Sequence, residues 1–205
     1  MRRGPAAPDV DRADGAPRRE NHRHPAQPAA AGQPEGHDVE RGNVGAGTGA
    51  AIGRGTYKGG VGTASITLDN GVVVAALAVV NALGLPFGAK AAQVPETAPP
   101  LNTTLVVVAT DAVLDKADCK RTASAAHAGL ARALNPSHTL ADGDTVFALA
   151  TGAIALDRST PAARQISLIT LQSAAADVVR LAILDGISRA EAVTTAAGTL
   201  GAYGR

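Results

Sequence analysis

The segment Leu101-Asn102-Thr103-Thr104-Leu105-Val106-Val107-Val108-Ala109-Thr110-Asp111 decides how this chain is read. Pro95, Pro99 and Pro100 precede it, and proline keeps the backbone extended and excludes helix from the residue before it. A run of apolar, β-branched residues follows at once, which predicts a buried strand over 103–110. The joint between loop and strand is an Asn-Thr bond, and it allows two readings. Thr103 can be a plain β-branched residue opening a strand. Alternatively, cleavage of the Asn102–Thr103 bond would make Thr103 a new N-terminus, with its hydroxyl as nucleophile and its own amine as base.

Composition limits what surrounds this strand. The chain has 205 residues, enough for one domain with a sizeable core. Its net charge is +1 and its aromatic content 2% with no Trp, so neither a basic footprint nor a stacking platform points to nucleic acid or a membrane surface. The single Cys119 excludes a disulfide framework and a cysteine-based zinc site. No apolar run reads as a membrane span, and the arginines at the start are followed by no apolar stretch, so a cytoplasmic location is expected.

Upstream, residues 1–41 contain no Leu, Ile, Phe, Tyr or Trp but six of the twelve prolines. Such a segment cannot bury enough apolar surface to offset its ordering entropy and reads as a disordered tail. His22, His24 and His37 belong to it and read as solvated. The composition breaks sharply at Arg41/Gly42, which raises the expectation of a replaced start. Residues 42–62 then carry nine glycines. Gly45-Ala46-Gly47-Thr48-Gly49-Ala50 loosely fits a dinucleotide fingerprint, but no strand precedes it and no Gly-Lys-Ser/Thr follows. A loop that lets backbone approach backbone is the better reading. Thr63–Leu68 and Val72–Val80 read as strands joined by Asp69-Asn70-Gly71, a hairpin signal. The second run is apolar at every position, so it is expected to be buried on both faces, and Asn81 closes it at a position open to a cleft.

Downstream, Asp111 or Asp115 can cap a helix running to about Leu134. Cys119 reads as a small core residue on that helix, His127 as a half-buried imidazole beside its apolar stripe, and His138 carries no assignment. Asp142-Gly143-Asp144 before the strand Thr145–Thr151 reads as a turn, as an incomplete calcium loop, or as two carboxylates facing a cleft. A long helix is predicted over 163–187 and a short one over 188–197, where Ser188 and Glu191 have capping-box spacing, with a loose tail from Gly198. Asn102-Thr103-Thr104 also matches a glycosylation acceptor, which without a signal peptide is a chance match.

Four segments taken together are more specific than any one: Lys58-Gly59-Gly60-Val61-Gly62-Thr63-Ala64, Val79-Val80-Asn81, Asn102-Thr103-Thr104-Leu105 and Asp142-Gly143-Asp144-Thr145-Val146-Phe147-Ala148-Leu149. In content and order they resemble the DmpA-type aminopeptidases and their relatives the endo-type nylon-oligomer hydrolases. The resemblance implies an α/β chain with the αββα sandwich of N-terminal-nucleophile hydrolases over residues 42–205, incomplete at its N-terminal side. It implies a precursor that cuts itself into two chains that remain associated. By position, Thr103 resembles the exposed nucleophile and Asn102 the residue left at the end of the upstream chain. Asn81 resembles the amide that steadies the reacting group, Lys58 the positive residue beside the nucleophile, and Asp142 and Asp144 the acidic pair that orients it.

The resemblance further implies a peptide or small amide substrate, no cofactor or metal, and a homo-oligomer of cleaved heterodimers. Two alternatives stay open: an inactive, truncated scaffold of the same family, and acyl transfer to an amine acceptor.

Overall fold

The structure is a computed structural model that describes residues 38–89, 102–196 and 198–204. The segment 1–37 with His22, His24 and His37, and the loop 90–101 with Pro95, Pro99 and Pro100, lie outside the described residues.

Short strands β1 (Ala51–Ile52) and β2 (Tyr57–Lys58) form one ribbon, followed by the long strands β3 (Val61–Thr67) and β4 (Val73–Val79). Then come β5 (Leu85–Pro86), β6 (Leu105–Ala112), helix α1 (Lys116–Ala133), β7 (Leu134–Asn135), β8 (Thr145–Ile154) and helix α2 (Pro161–Arg189). A hairpin of β9 (Val193–Thr195) and β10 (Gly198–Leu200) ends the chain. The main sheet has the order β3-β4-β6-β8, antiparallel except for the parallel pair β6/β8, which α1 connects as a crossover. The Asp69-Asn70-Gly71 turn closes the β3/β4 hairpin as its sequence predicts, with Gly71 at φ +83°.

Alternation sorts the sheet into two faces. Val74, Ala76, Ala78, Val106, Val108 and Val146 point to one side and share a core with Ala126, Leu130 and Ala133 of α1 and Leu171, Val178, Val179 and Ile183 of α2. Small residues let these layers approach. A side chain at Gly62 would collide with the backbone of Ala182 and Gly186 on α2, so β3 meets that helix main chain to main chain. Asp115 caps α1 by accepting the Asp118 N–H, and Thr160 caps α2 by accepting the Ala163 N–H.

The other face departs from expectation. Val73, Leu77, Leu105, Phe147 and Leu149 stand on it exposed, Phe147 at 59%. Leu77, Val107 and Phe147 lie in one register row. Apolar residues at every position of β4 therefore correspond to one face that is buried and one that the described residues leave uncovered.

Three further expectations are corrected. Residues 193–200 form a hairpin rather than a helix, because Asn43 grips the main chain of Glu191 from both sides, accepting its N–H at 3.1 Å and donating to its carbonyl at 2.9 Å. The tail is held as well: Gly201 O accepts the Lys58 N–H at 2.8 Å, and Tyr203 meets Tyr57 edge to face at 5.3 Å. Finally, α2 has the length and hydropathy of a membrane span, with a mean of 1.5 over 18 residues, where no such run was expected. Its buried residues line the shared core, so it serves here as the core helix.

Candidate active site

Parallel pairing of β6 with β8 places the chain around 102–104 beside 141–145. The ladder continues upstream of the strands: Asn102 N–H donates to Ala141 O at 2.7 Å, Gly143 N–H to Asn102 O at 2.8 Å, and Thr145 N–H to Thr104 O at 3.1 Å. The Thr103 N–H points the other way, to Asn81 O at 2.7 Å, just past the end of β4. The Asn102–Thr103 peptide group is thus gripped at both poles, its carbonyl from the β8 side and its N–H from the β4 side.

The Thr103 hydroxyl lies against the same peptide. Its Oγ1 donates to Asn102 O at 2.6 Å, so that carbonyl oxygen accepts from a hydroxyl and from the Gly143 amide together. Both donors polarise the carbonyl, and the Gly143 N–H is placed to stabilise an oxyanion there. Gly143 is exposed, so water reaches this corner. The smallness of Gly143 is required: a Cβ there would stand 2.7 Å from Thr103 Oγ1.

The two aspartates organise the loop rather than simply facing outward. Asp142 accepts the Leu83 N–H on Oδ1 at 3.3 Å, and on Oδ2 the Thr139 N–H at 3.0 Å and hydroxyl at 2.6 Å. Asp144, its side chain 2% exposed, accepts the Thr104 N–H on Oδ1 at 2.9 Å and the His138 N–H on Oδ2 at 3.1 Å. Each carboxylate therefore ties the 138–144 loop to other main chain, Asp142 to Leu83 just past Asn81 and Asp144 to Thr104 just past Thr103. Their buried oxygens are satisfied by fixed donors, as burial of a charge demands.

Lys58 and Asn81 act from the upstream side. The Lys58 ammonium is buried and donates to Gly47 O at 2.5 Å, Ala50 O at 2.7 Å and Gly59 O at 2.9 Å. Those three bonds use all its protons, and burial lowers its pKa from 10.5. The glycine loop thus turns carbonyls inward onto an ammonium, the opposite of what a phosphate cradle needs. Next along the chain, the Ala51 N–H donates to Asn81 Oδ1 at 3.0 Å. With its oxygen committed, the Asn81 amide presents its N–H donors as the end that can meet a reacting oxygen. A continuous path runs from Lys58 through Ala50 and Ala51 to Asn81, and from the Asn81 carbonyl to Thr103.

Direct hydrogen bonds therefore join Asn102, Thr103 and Asn81, while Asp142 and Asp144 reach them through the main chain of Leu83 and Thr104, and Lys58 through the glycine loop. Sequence reasoning missed three contributors: the Gly143 amide, the Ala51 amide and His138. Backbone donors leave no mark in a sequence, although a glycine between two aspartates signals that a side chain has no room there. Among the described residues, no group of three or more His, Cys, Asp or Glu is arranged to hold a metal ion.

Comparison with known proteins agrees with this geometry. The family model for peptidase family S58 matches residues 10–200, beginning ahead of Gly42. An uncharacterized aminopeptidase of Mycobacterium tuberculosis is 45% identical over 192 residues, covering 77% of this chain and 55% of the relative. Among solved structures, a Burkholderia sp. beta-aminopeptidase superposes with a TM-score of 0.64 at 26% identity, over 81% of this chain and 51% of the other. The l-aminopeptidase d-Ala-esterase/amidase of Ochrobactrum anthropi, a prototype of the serine aminopeptidases and a variant of the Ntn hydrolase fold, gives 0.63 at 29% identity over 80% and 50%. The chain spans about half the length of the relatives it matches. With the matched segment running through the sheet, both helices and every residue of the site, the chain belongs to peptidase family S58 and has the fold of the Ntn hydrolases.

Proposed function

We propose that this chain cuts its own Asn102–Thr103 bond and that the exposed Thr103 then hydrolyses peptides or small amides of amino acids, in the manner of an aminopeptidase. One observation carries the reading: the Asn102 carbonyl accepts at once from the Gly143 amide and from the hydroxyl of the residue that follows it.

The chemistry balances with one water. Thr103 Oγ1 attacks the Asn102 carbonyl carbon, the carbonyl oxygen becomes an oxyanion facing the Gly143 N–H, and the hydroxyl proton passes to the Thr103 nitrogen as the C–N bond breaks. The resulting ester is hydrolysed by water, leaving a carboxylate on Asn102 and a free α-amine on Thr103. Asn81 O, which holds the Thr103 N–H in the uncut chain, then holds that amine. An α-amine has a pKa of roughly 8, so a useful fraction is neutral near neutral pH and can take the hydroxyl proton in each later turnover. An incoming amide would be attacked by the same oxygen, its amine part would leave, and water would release the acyl group. Asp144, through the Thr104 N–H, fixes the direction of the main chain that carries the nucleophile.

Mass spectrometry of purified protein tests the reading. A species whose N-terminus is Thr103 is expected, together with a partner ending at Asn102. A single intact mass that persists through long incubation would instead favour an inactive scaffold of the family.

A further inference from the structure

His138 lies in the loop after α1, carries no role in the reaction as written, and holds an unusual backbone. Its φ is +55°, a left-handed conformation that among the described residues only Arg54 shares outside glycine. For a residue with a Cβ that conformation costs on the order of 1 kcal/mol, so something must hold it. The holding group is Asp144. Both the His138 N–H, at 3.1 Å, and the ring Nδ1, at 3.2 Å, address the same oxygen, Oδ2. The other oxygen of that buried carboxylate receives the Thr104 N–H.

A second imidazole completes the arrangement. His127 on α1 places its Nδ1 3.1 Å from His138 Nε2, the rings 4.9 Å apart. The contacts fit one arrangement of tautomers: a carboxylate only accepts, so a His138 ring that carries its proton on Nδ1 faces Asp144 with it and leaves Nε2 to accept from His127 Nδ1. Thr104 N–H, Asp144, His138 and His127 thus lie in one row of contacts running from the residue after the nucleophile to the helix surface.

We propose that His138 is a positioning residue of this site: its ring locks the Asp144 carboxylate in the orientation that aligns Thr103, and His127 locks the His138 ring. The proposal rests on the self-processing reading above and adds to it a residue that reacts with nothing. Without the ring, Asp144 keeps its two backbone donors, the Thr104 and His138 N–H groups, but loses the one side-chain contact on Oδ2. Burial and the neighbouring His138 lower the His127 pKa, against a smaller opposite pull from Asp144.

The test uses three variants and one measurement on the unaltered chain. His138→Gly removes the ring while relaxing the left-handed backbone. His138→Asn restores a side-chain N–H and tolerates the same backbone. The rate at which a Thr103 terminus appears is followed across pH. His138→Gly should slow it about 10- to 100-fold, the range seen when an orienting partner is lost, and should change its pH profile. His138→Asn should recover most of the rate and keep the altered pH profile. In the unaltered protein, nitrogen NMR of the imidazoles should show His138 protonated on Nδ1, and Asp144→Asn should move that Nδ1 resonance.

A wild-type chain that never yields a Thr103 terminus overturns the self-processing reading. A wild type that cuts, beside a His138→Gly variant with the same rate and pH profile, overturns this proposal alone. An Nε2-protonated His138 whose ring resonances ignore Asp144→Asn overturns it without reference to any rate.

Discussion

Gly143 and Thr103 are fitted to each other at the limit of contact: a Cβ on Gly143 would lie 2.7 Å from the Thr103 hydroxyl oxygen, while the Gly143 N–H donates at 2.8 Å to the carbonyl that this hydroxyl also meets. Gly143 does not have a positive φ, so the backbone itself would accept another residue. The absence of a side chain serves the threonine, not the loop.

Gly143→Ala should therefore fold and fail to cut. The added methyl drives Thr103 Oγ1 from its position, and misplacement of a reacting group combined with a shifted amide donor should slow scission by about 100-fold or more. Time-resolved electrophoresis under denaturing conditions, next to a melting curve equal to that of the parent, checks it. Undiminished scission would detach Gly143 from the chemistry.

Thr103→Ala should abolish scission, while Thr103→Ser, which keeps the hydroxyl, should retain it. Thr104 makes the contrasting case. Its hydroxyl is fully buried and, among the described residues, has no hydrogen-bond partner. Thr104→Val replaces that hydroxyl with a methyl of the same shape, so stability should stay level or rise by up to about 1 kcal/mol with scission intact. Urea melts and fragment mass together separate the two neighbours.

Lys58→Met should cost about 3 kcal/mol, since it leaves three inward carbonyls without donors. The pH dependence has a definite sign. Burial lowers the folded-state pKa below the ordinary 10.5, so between those two values the unfolded chain binds the additional proton and stability rises with pH. The parent should gain stability on this account toward pH 10.5, and Lys58→Met should lack that gain; urea denaturation of both proteins across the alkaline range measures it.

Asp118→Ala provides a check on the opposite side of the molecule. Asp118 is buried on α1 and accepts from Arg158 at 2.7 Å and from Arg164 at 3.2 Å, joining α1 to the start of α2. Both arginines reach solvent and can be rehydrated, so the loss should be about 2 kcal/mol. Scission at 102 should proceed at the parental rate in the folded fraction, as followed by electrophoresis below the melting point.

Much of this was legible in the sequence, and what was not has physical reasons. The β3/β4 hairpin is written in Asp69-Asn70-Gly71 and the start of α1 in Asp115, because turns and caps are local chemistry. Asn81, Asp142 and Asp144 were picked out by the resemblance of four segments to a known family, and not by their spacing alone. The parallel partnership of β6 and β8 was not, since its register is set by a helical crossover and by burial of α1 and not by any turn. The helix expected after Ser188 yielded to a tertiary grip, Asn43 on Glu191, that no local spacing announces. His138 was unreadable for a similar reason: its partner His127 lies across a helix end, and its backbone conformation is imposed by a carboxylate six residues on.

The ladder between β4 and β6 gives the Asn102–Thr103 bond an unusual mechanical setting. Val74 through Val79 belong to the piece before Thr103 and Leu105 through Thr110 to the piece after it, yet they are neighbours in the middle of one sheet. Scission at Asn102–Thr103 would turn those hydrogen bonds into a seam between two polypeptides without moving a strand. The two products would share a single core, melt as one body, and come apart only when that body is unfolded.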